Sequence, residues 1–284
     1  MLEFEFHVGP YVDRFVKWLL QSYGSFFDGL SRALLALLLR VEDILAAIPW
    51  WIIVAGVGVL AWLLFRKWTT ALALALLLTM VAGFGLWPMT MNTLALVITS
   101  VILALILGIP VGILMAEFRP VQSIIRPLLD AMQTMPSFVY LIPAMMLFGL
   151  GKVPALLATL VYAAPPVVRL THLGLEQVSK DAQEAALAYG ATRWQLLKEV
   201  RLPLAMPSLL AGVNQTTMMA LAMVIVSAMI GARGVGEEVL IAINRIDIGR
   251  GFEAGISVVA LAIVIDRLTQ GTAARWRRHA HLSE

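Results

Sequence analysis

The sequence contains no cysteine and few charged residues. The absence of Cys from its 284 residues excludes disulfide frameworks, thiolate metal sites and cysteine nucleophiles. Charged residues make up only 14% of the chain, whereas a soluble domain has about a quarter. The formal charge of +3 is too small to indicate a nucleic-acid partner. The four histidines are scattered along the chain and do not indicate a metal cluster (His7, His172, His279, His281).

The motifs of nucleotide binding and hydrolysis are also missing. The chain has no G-x-x-x-x-G-K-[ST] phosphate loop, no G-x-S-x-G nucleophile elbow and no H-E-x-x-H zinc motif. The glycines of GARGVG (231–236) do not form a G-x-G-x-x-G fingerprint, and a turn after a membrane span is the better interpretation. The sequence therefore predicts no catalytic residue, no bound metal and no cofactor in this chain.

Long apolar runs dominate the chain instead. Hydrophobic residues make up 60% of it, and the mean hydropathy is +0.87. A helix needs about 20 mostly apolar residues to cross the hydrocarbon core of a bilayer. We therefore predict an all-α membrane protein, a polytopic helical bundle with about seven transmembrane helices, six or eight being the alternatives. The predicted spans are 44–65, 68–87, 92–116, 131–151, 153–170, 206–231 and 251–269, and Pro165-Pro166 is expected to kink or end the fifth.

Two flanking segments complete the predicted organisation. Residues 1–43 form an amphipathic leader, in which apolar residues recur at helical spacing from Val12 to Tyr23. This helix is expected to lie along the membrane surface or to pack on the rest of the protein. Residues 44–270 form the transmembrane domain, and residues 271–284 form a basic tail. With seven spans and a cytoplasmic tail, 13 of the 21 basic residues lie on the cytoplasmic side.

A charged loop at about 176–205 interrupts the apolar runs on the cytoplasmic side. Ser179 is placed to cap one short helix, and Gly190 to end it in the left-handed conformation. Thr192 and Gln195 form a capping box for a second short helix, which Pro203 is expected to end. Doubled caps indicate a rigid projection that docks a cytoplasmic partner, and the alternatives are a DNA-binding helix–turn–helix or an ordinary solvated loop.

The residues of this loop resemble a known family motif. Glu184-Ala185-Ala186, Gly190, Val200 and Leu202-Pro203 match the EAA loop of bacterial ABC importer permeases, EAA-x3-G-x9-I-x-LP, with Val200 in place of isoleucine. The resemblance implies a MetI-like type I importer fold, an inner-membrane location and a loop that seats in an ATP-binding subunit. ATP and magnesium would then be bound by that partner chain. It also implies a homodimer, with a heterodimer as the alternative.

Further stretches resemble one branch of that family. Residues 85–116, 126–151 and 231–256, together with the leader segment 11–30, look like permeases for glycine betaine, proline betaine and choline. This resemblance implies import of a quaternary ammonium solute and a separate periplasmic substrate-binding protein. The alternatives are a permease for another small polar solute such as an amino acid, a gradient-driven secondary transporter, or a membrane-embedded enzyme.

Three residue sets are candidates for contacts with the solute or the binding protein. Aromatic faces can hold a quaternary ammonium group, which makes Phe138 and Tyr140 candidates for the substrate path. The polar run Asn214, Gln215, Thr216 and Thr217 is a second candidate set within a span. Ordinary core packing and interhelical hydrogen bonds are the alternatives for these two sets. Glu237 and Glu238 are candidates for docking the binding protein, and a solvated connector is the alternative.

Overall fold

The computed structural model describes the backbone of residues 9–281 and the side chains up to Arg275. Residues 1–8 of the predicted leader lie outside the described residues, as do residues 282–284 and the side chains from 276 onward of the predicted basic tail. The described chain is helical throughout, without a β-strand, so the predicted all-α fold is confirmed.

Twelve α-helices follow one another along the described chain. A 3-10 turn at Ser137–Tyr140 precedes α6, and a π turn at Leu196–Arg201 connects α9 to α10. The helices are α1 (Gly9–Ala47), α2 (Trp50–Phe65), α3 (Trp68–Gly83), α4 (Trp87–Glu117), α5 (Arg119–Thr134), α6 (Leu141–Phe148), α7 (Lys152–Glu176), α8 (Lys180–Ala188), α9 (Arg193–Gln195), α10 (Leu202–Ala228), α11 (Val235–Arg245) and α12 (Ile248–His281).

Four helical stretches are long and apolar enough to cross a membrane. They are α4, α7, α10 with the helical turns before it, and α12. Two bent pairs qualify only together: α1 with α2, at an angle of 92°, and the α5–α6 segment, at 115°. Helix α3, which follows α2, is also apolar but has only 16 residues. The structure thus supports four to six spans by length and composition, and the predicted count of seven is not confirmed.

Two proline-containing stretches differ from the prediction. The predicted span 131–151 is not one straight helix, because Met135 before Pro136 adopts an extended conformation and the chain bends there. A residue before proline is disfavoured in the helical region. By contrast, α7 continues through Pro165-Pro166 to Glu176. Both prolines are buried there, and the packing of α7 against α4 and α10 keeps the helix intact.

The core of the bundle is the close packing of α4, α7 and α10. A methyl group added at Gly108 would lie 2.6 Å from Cγ1 of Val167, and one at Gly112 would lie 2.6 Å from Cβ of Thr171. On the other side of α7, a methyl group at Gly174 would lie 2.7 Å from Cβ of Ser208. Gly108 and Gly112 in α4 therefore serve packing, because small residues allow helix backbones to approach in a membrane.

The leader helix α1 packs against one end of this bundle. The ring of Phe27 contacts Phe148 at the end of α6, and Glu42 forms an ion pair of 2.5 Å with Lys152 at the start of α7. These two contacts are 15 residues apart on α1, about 22 Å along a helix, yet both reach the α6–α7 connection. The helix therefore runs across that end of the bundle, with a kink at Tyr23, and not parallel to its axis.

Candidate functional site

The charged loop folds as a hairpin of two capped helical segments (residues 179–203, called the hairpin below). The Ser179 hydroxyl accepts a hydrogen bond from the backbone N–H of Ala182, so the predicted N-cap of α8 is confirmed. At the other end, Gly190 has a φ of +85°, a conformation that favours glycine. Its N–H donates to the carbonyl of Leu187, and the next N–H donates to that of Ala186. This pair of bonds is a Schellman motif.

The second segment begins at the predicted capping box. The Thr192 hydroxyl accepts from the N–H of Gln195, and the Gln195 side chain accepts from the N–H of Thr192 at 2.9 Å. The prediction that Pro203 ends this segment is wrong. The chain passes through the π turn directly into α10, where Pro203 lies in the first turn. In a regular helix the proline ring would clash with the carbonyl four residues earlier, and the wider π turn precedes it here.

The tip of the hairpin exposes apolar side chains. Tyr189 is 95% exposed and Trp194 is 68% exposed, and Leu187 also faces outward. Of the motif residues, Glu184 and Ala185 are exposed, while Ala186 is half-buried. Large exposed apolar side chains grouped on one rigid projection are typical of an interaction surface.

The base of the hairpin is tied to the bundle by Arg201, a residue that the sequence analysis did not single out. Its guanidinium forms an ion pair with Glu117, the last residue of α4, and donates to the carbonyl of Leu175 at 3.4 Å. Of the remaining motif residues, Val200 and Leu202 are half-buried beside it. A glutamate at the negative end of a helix needs a nearby cation, and that signal at Glu117 could have indicated such a partner.

The two candidate sets for the substrate path are not brought together. Phe138 is exposed, whereas Tyr140 is buried, donates to the carbonyl of Met132 and packs edge-on against Tyr162. Tyr140 belongs to an apolar cluster with Met223, about two and a half helical turns beyond Asn214.

The polar run on α10 points in several directions. Asn214 donates to Asp266 of α12 at 3.1 Å and accepts from Thr269, while Gln215 is exposed beside a cavity of 630 Å³. The other two members, Thr216 and Thr217, are buried in the bundle. Asp266 is half-buried and also accepts from Gln270 at 2.8 Å. Asp266 is not among the candidate residues predicted from the sequence, although an acidic residue near an apolar run is a signal for a polar partner.

The two candidate docking residues differ in environment. Glu238 is 3% exposed and forms an ion pair with Arg250 of α12, so it serves the packing of α11 and is not part of an open surface. Glu237 is half-buried, in the first turn of α11. Beyond it, the turn between α11 and α12 exposes Ile246 and Ile248, each 84% exposed, next to a cavity of 310 Å³.

Comparison with known proteins places the fold and the chain in one family. Residues 108–278 match the model of the binding-protein-dependent transport system inner membrane component, and the chain belongs to that family. The chain is therefore a transmembrane subunit of the ABC importer type, and it is a multi-pass membrane protein. The match begins inside α4 and leaves α1, α2 and α3 outside it.

Relatives with high similarity carry specific names. The glycine betaine transport system permease protein OpuAB of Bacillus subtilis is 43% identical over 91% of this chain and 92% of its own length. The glycine betaine/carnitine transport permease protein GbuB of Listeria monocytogenes is 42% identical over 93% and 94%. The glycine betaine/proline betaine transport system permease protein ProW of Escherichia coli is 41% identical over 90% and 72%.

A solved structure shares the fold. The inward-facing MetNI methionine ABC transporter aligns with a TM-score of 0.58 over 68% of this chain and 95% of that chain, at 24% identity. The predicted MetI-like type I importer fold is thereby confirmed.

The two neighbouring glutamates provide a matched test of their environments. Replacing Glu238 with Gln leaves the Arg250 guanidinium without its charged partner and should lower the free energy of unfolding by about 1–3 kcal/mol. The same change at Glu237 should alter it by less than about 0.5 kcal/mol. Thermal unfolding of the purified variants in detergent measures both. Equal melting temperatures for the two variants would contradict the buried ion pair.

Proposed function

We propose that the chain is the membrane-spanning permease subunit of an ATP-driven importer for a quaternary ammonium compatible solute of the glycine betaine or choline type. The names and the 41–43% identity of three relatives over most of their lengths support the solute class. The observation that carries the coupling role is the hairpin, a capped projection with an exposed apolar tip and a charged tie to the bundle at its base.

The hairpin is the proposed contact with the ATP-binding subunit. Two caps and a Schellman turn hold its two segments in a defined orientation without help from the rest of the bundle. Tyr189, Trp194 and Leu187 are the residues that a groove in the partner would cover. ATP and magnesium are bound by that partner, because this sequence contains no phosphate-binding loop.

A second copy of this chain is the proposed other half of the pore. Helix α5 presents Arg126 and Asp130 on a face that the described chain leaves exposed, although α5 is part of a bent apolar span. Asp130 pairs with Arg169 of α7 at 2.6 Å beside a cavity of 250 Å³. Charged residues in a span usually face a bundle interior or an aqueous cavity and not lipid, which supports a dimer that covers α5.

Transport in this proposal is a change between two packings of the dimer. ATP binding closes the pair of ATP-binding subunits, draws the two hairpins together and opens the pathway to the periplasmic side, where the substrate-binding protein delivers the solute. Such alternating access is a shift in the populations of two states. The permease itself forms and breaks no covalent bond, and it lies in the inner membrane with the hairpin in the cytoplasm.

The turn between α11 and α12 is the proposed docking surface for the periplasmic binding protein. It lies at the end of the bundle opposite the hairpin, because the chain reaches it from the far end of α10. The turn exposes Ile246 and Ile248, and Glu237 lies in the first turn of α11. Because Glu238 is paired internally, Glu237 remains the acidic candidate.

Charge reversal tests the docking proposal. Replacing Glu237 with Lys should lower uptake at a limiting concentration of binding protein about threefold to tenfold, within the range of one interface contact. The matched variant is Glu237→Gln, which should have a smaller effect. Initial uptake rates in proteoliposomes, measured over a range of binding-protein concentrations, supply the result. Rates for Glu237→Lys that equal wild type at every concentration would remove Glu237 from the interface.

Gly190 tests the coupling role of the hairpin. A β-branched residue at its positive φ is strained, so Gly190→Val should distort the turn and reduce ATP-driven uptake at least about fivefold. Gly190→Asn is the control, because asparagine tolerates the left-handed conformation, and it should retain most uptake. Uptake and ATP hydrolysis are measured together in proteoliposomes that contain the whole importer. Normal ATP-driven uptake by Gly190→Val would refute the coupling role.

Energy source and solute are tested in the same reconstituted system. Accumulation of labelled glycine betaine should require ATP on the side of the membrane where the ATP-binding subunit lies. It should stop when that ATP is removed. Unlabelled choline, carnitine and proline betaine, added in excess, rank the quaternary ammonium solutes by competition. Uptake that persists without ATP under an ion gradient would favour a secondary transporter. Competition by an amino acid and not by these solutes would favour a different substrate class.

A further inference from the structure

We propose that Arg201 transmits the movement of the hairpin to the membrane helices through its ion pair with Glu117. This inference rests on the coupling role proposed above, and it names the positioning residue through which that role acts. Arg201 occupies a variable position of the EAA pattern, between the motif residues Val200 and Leu202. The motif itself therefore does not account for an arginine here.

The geometry joins three distant parts of the chain at one guanidinium. Glu117 is 84 residues away in sequence and ends α4, and Leu175 is 26 residues away in the last turn of α7. The Arg201 side chain is 12% exposed and that of Glu117 is 31% exposed, so water screens the pair only in part. Arg201 therefore links the hairpin to both helices that pack in the core with α10.

Helix electrostatics explain why a cation is needed at this point. The last carbonyls of α4 and α7 are negative helix ends, and Glu117 adds a full negative charge to one of them. A planar guanidinium can donate to a carboxylate and to a carbonyl at the same time, which a lysine ammonium does with less defined geometry. Without Arg201, two negative helix ends and a carboxylate would lie together uncompensated.

The π turn directs Arg201 toward the bundle. Arg201 is the last residue of that turn, and an i to i+5 turn contains about one residue more than an α turn. One extra residue rotates the side chains that follow by about 100° relative to those before. Lys198 and Glu199, earlier in the turn, are exposed, whereas Arg201 is turned inward. The π turn thus orients Arg201 so that it attaches the hairpin to the bundle.

Other contacts at the base of the hairpin differ in kind. Leu197 and Leu202 pack on an apolar cluster around Leu175 and Val178. Apolar contacts are non-directional and can slide, while a charged pair with two fixed donors holds one orientation. Among the described residues, the Nε atom of Arg201 is buried without a hydrogen-bond partner.

The test uses the complete importer reconstituted with its ATP-binding subunit and binding protein. The variants are Arg201→Gln, Glu117→Gln and Arg201→Lys, which keeps the positive charge. Lys198→Gln, an exposed cation in the same turn, is the matched control. The measurements are solute transported per ATP hydrolysed, co-purification of the ATP-binding subunit, and the melting temperature of the complex.

We expect Arg201→Gln and Glu117→Gln each to lower the transport stoichiometry about tenfold, within the usual range of coupling between sites, while the ATP-binding subunit still co-purifies. Arg201→Lys should keep at least half of the stoichiometry, because the cation is retained, and Lys198→Gln should keep all of it. A merely structural role predicts a lower melting temperature with unchanged stoichiometry in the complexes that remain. That result, or an Arg201→Lys variant with a stoichiometry no better than that of Arg201→Gln, would overturn the proposal.

The same experiment separates this proposal from the coupling role of the hairpin. If Gly190→Val uncouples transport but Arg201→Gln does not, the hairpin couples through other contacts and only the role of Arg201 fails. If neither variant changes the stoichiometry, both proposals fail.

Discussion

The close contact of α4, α7 and α10 is the constraint on which the rest of the structure depends. Inside a bilayer, apolar burial does not draw helices together, so their association relies on close packing and hydrogen bonds. Glycines at the crossings allow backbone separations that any larger residue would block. At one end of this block lies Arg201, and at the other the Thr93 hydroxyl accepts from the N–H of Val235 at 2.9 Å. The base of the hairpin and the start of α11 are therefore attached to the same packed unit.

The hairpin is stabilised by different interactions from the helices that carry it. Its caps are satisfied by neighbours within a few residues, so its shape does not depend on the bilayer. Its base, in contrast, is held by charge and by an apolar cluster between distant segments. A stiff hairpin held at its base by an ion pair can move as a rigid body. This movement would link the packing of the bundle to the proposed use of ATP.

Polar residues within the spans form two kinds of pair. Asn214 donates to Asp266 between α10 and α12, and Asp266 also accepts from Gln270. Asp130 and Arg169 are paired but half-exposed on the α5 side. The first pair is internal to the bundle, and the second lies on a face that needs water or a second subunit.

The sequence by itself determined the helical class, the caps at Ser179 and Thr192, the turn at Gly190 and the family, because these depend on composition and on contacts between near neighbours. It also located the apolar runs, but not their lengths, the bend at Pro136 or the continuation of α7 through Pro165. Only the tertiary structure decided that Pro203 continues a helix, that Glu238 is buried against Arg250, and that Arg201 reaches Glu117. Those outcomes depend on which distant segments meet, and contact between distant segments has no periodicity or spacing in a single chain from which it could be inferred.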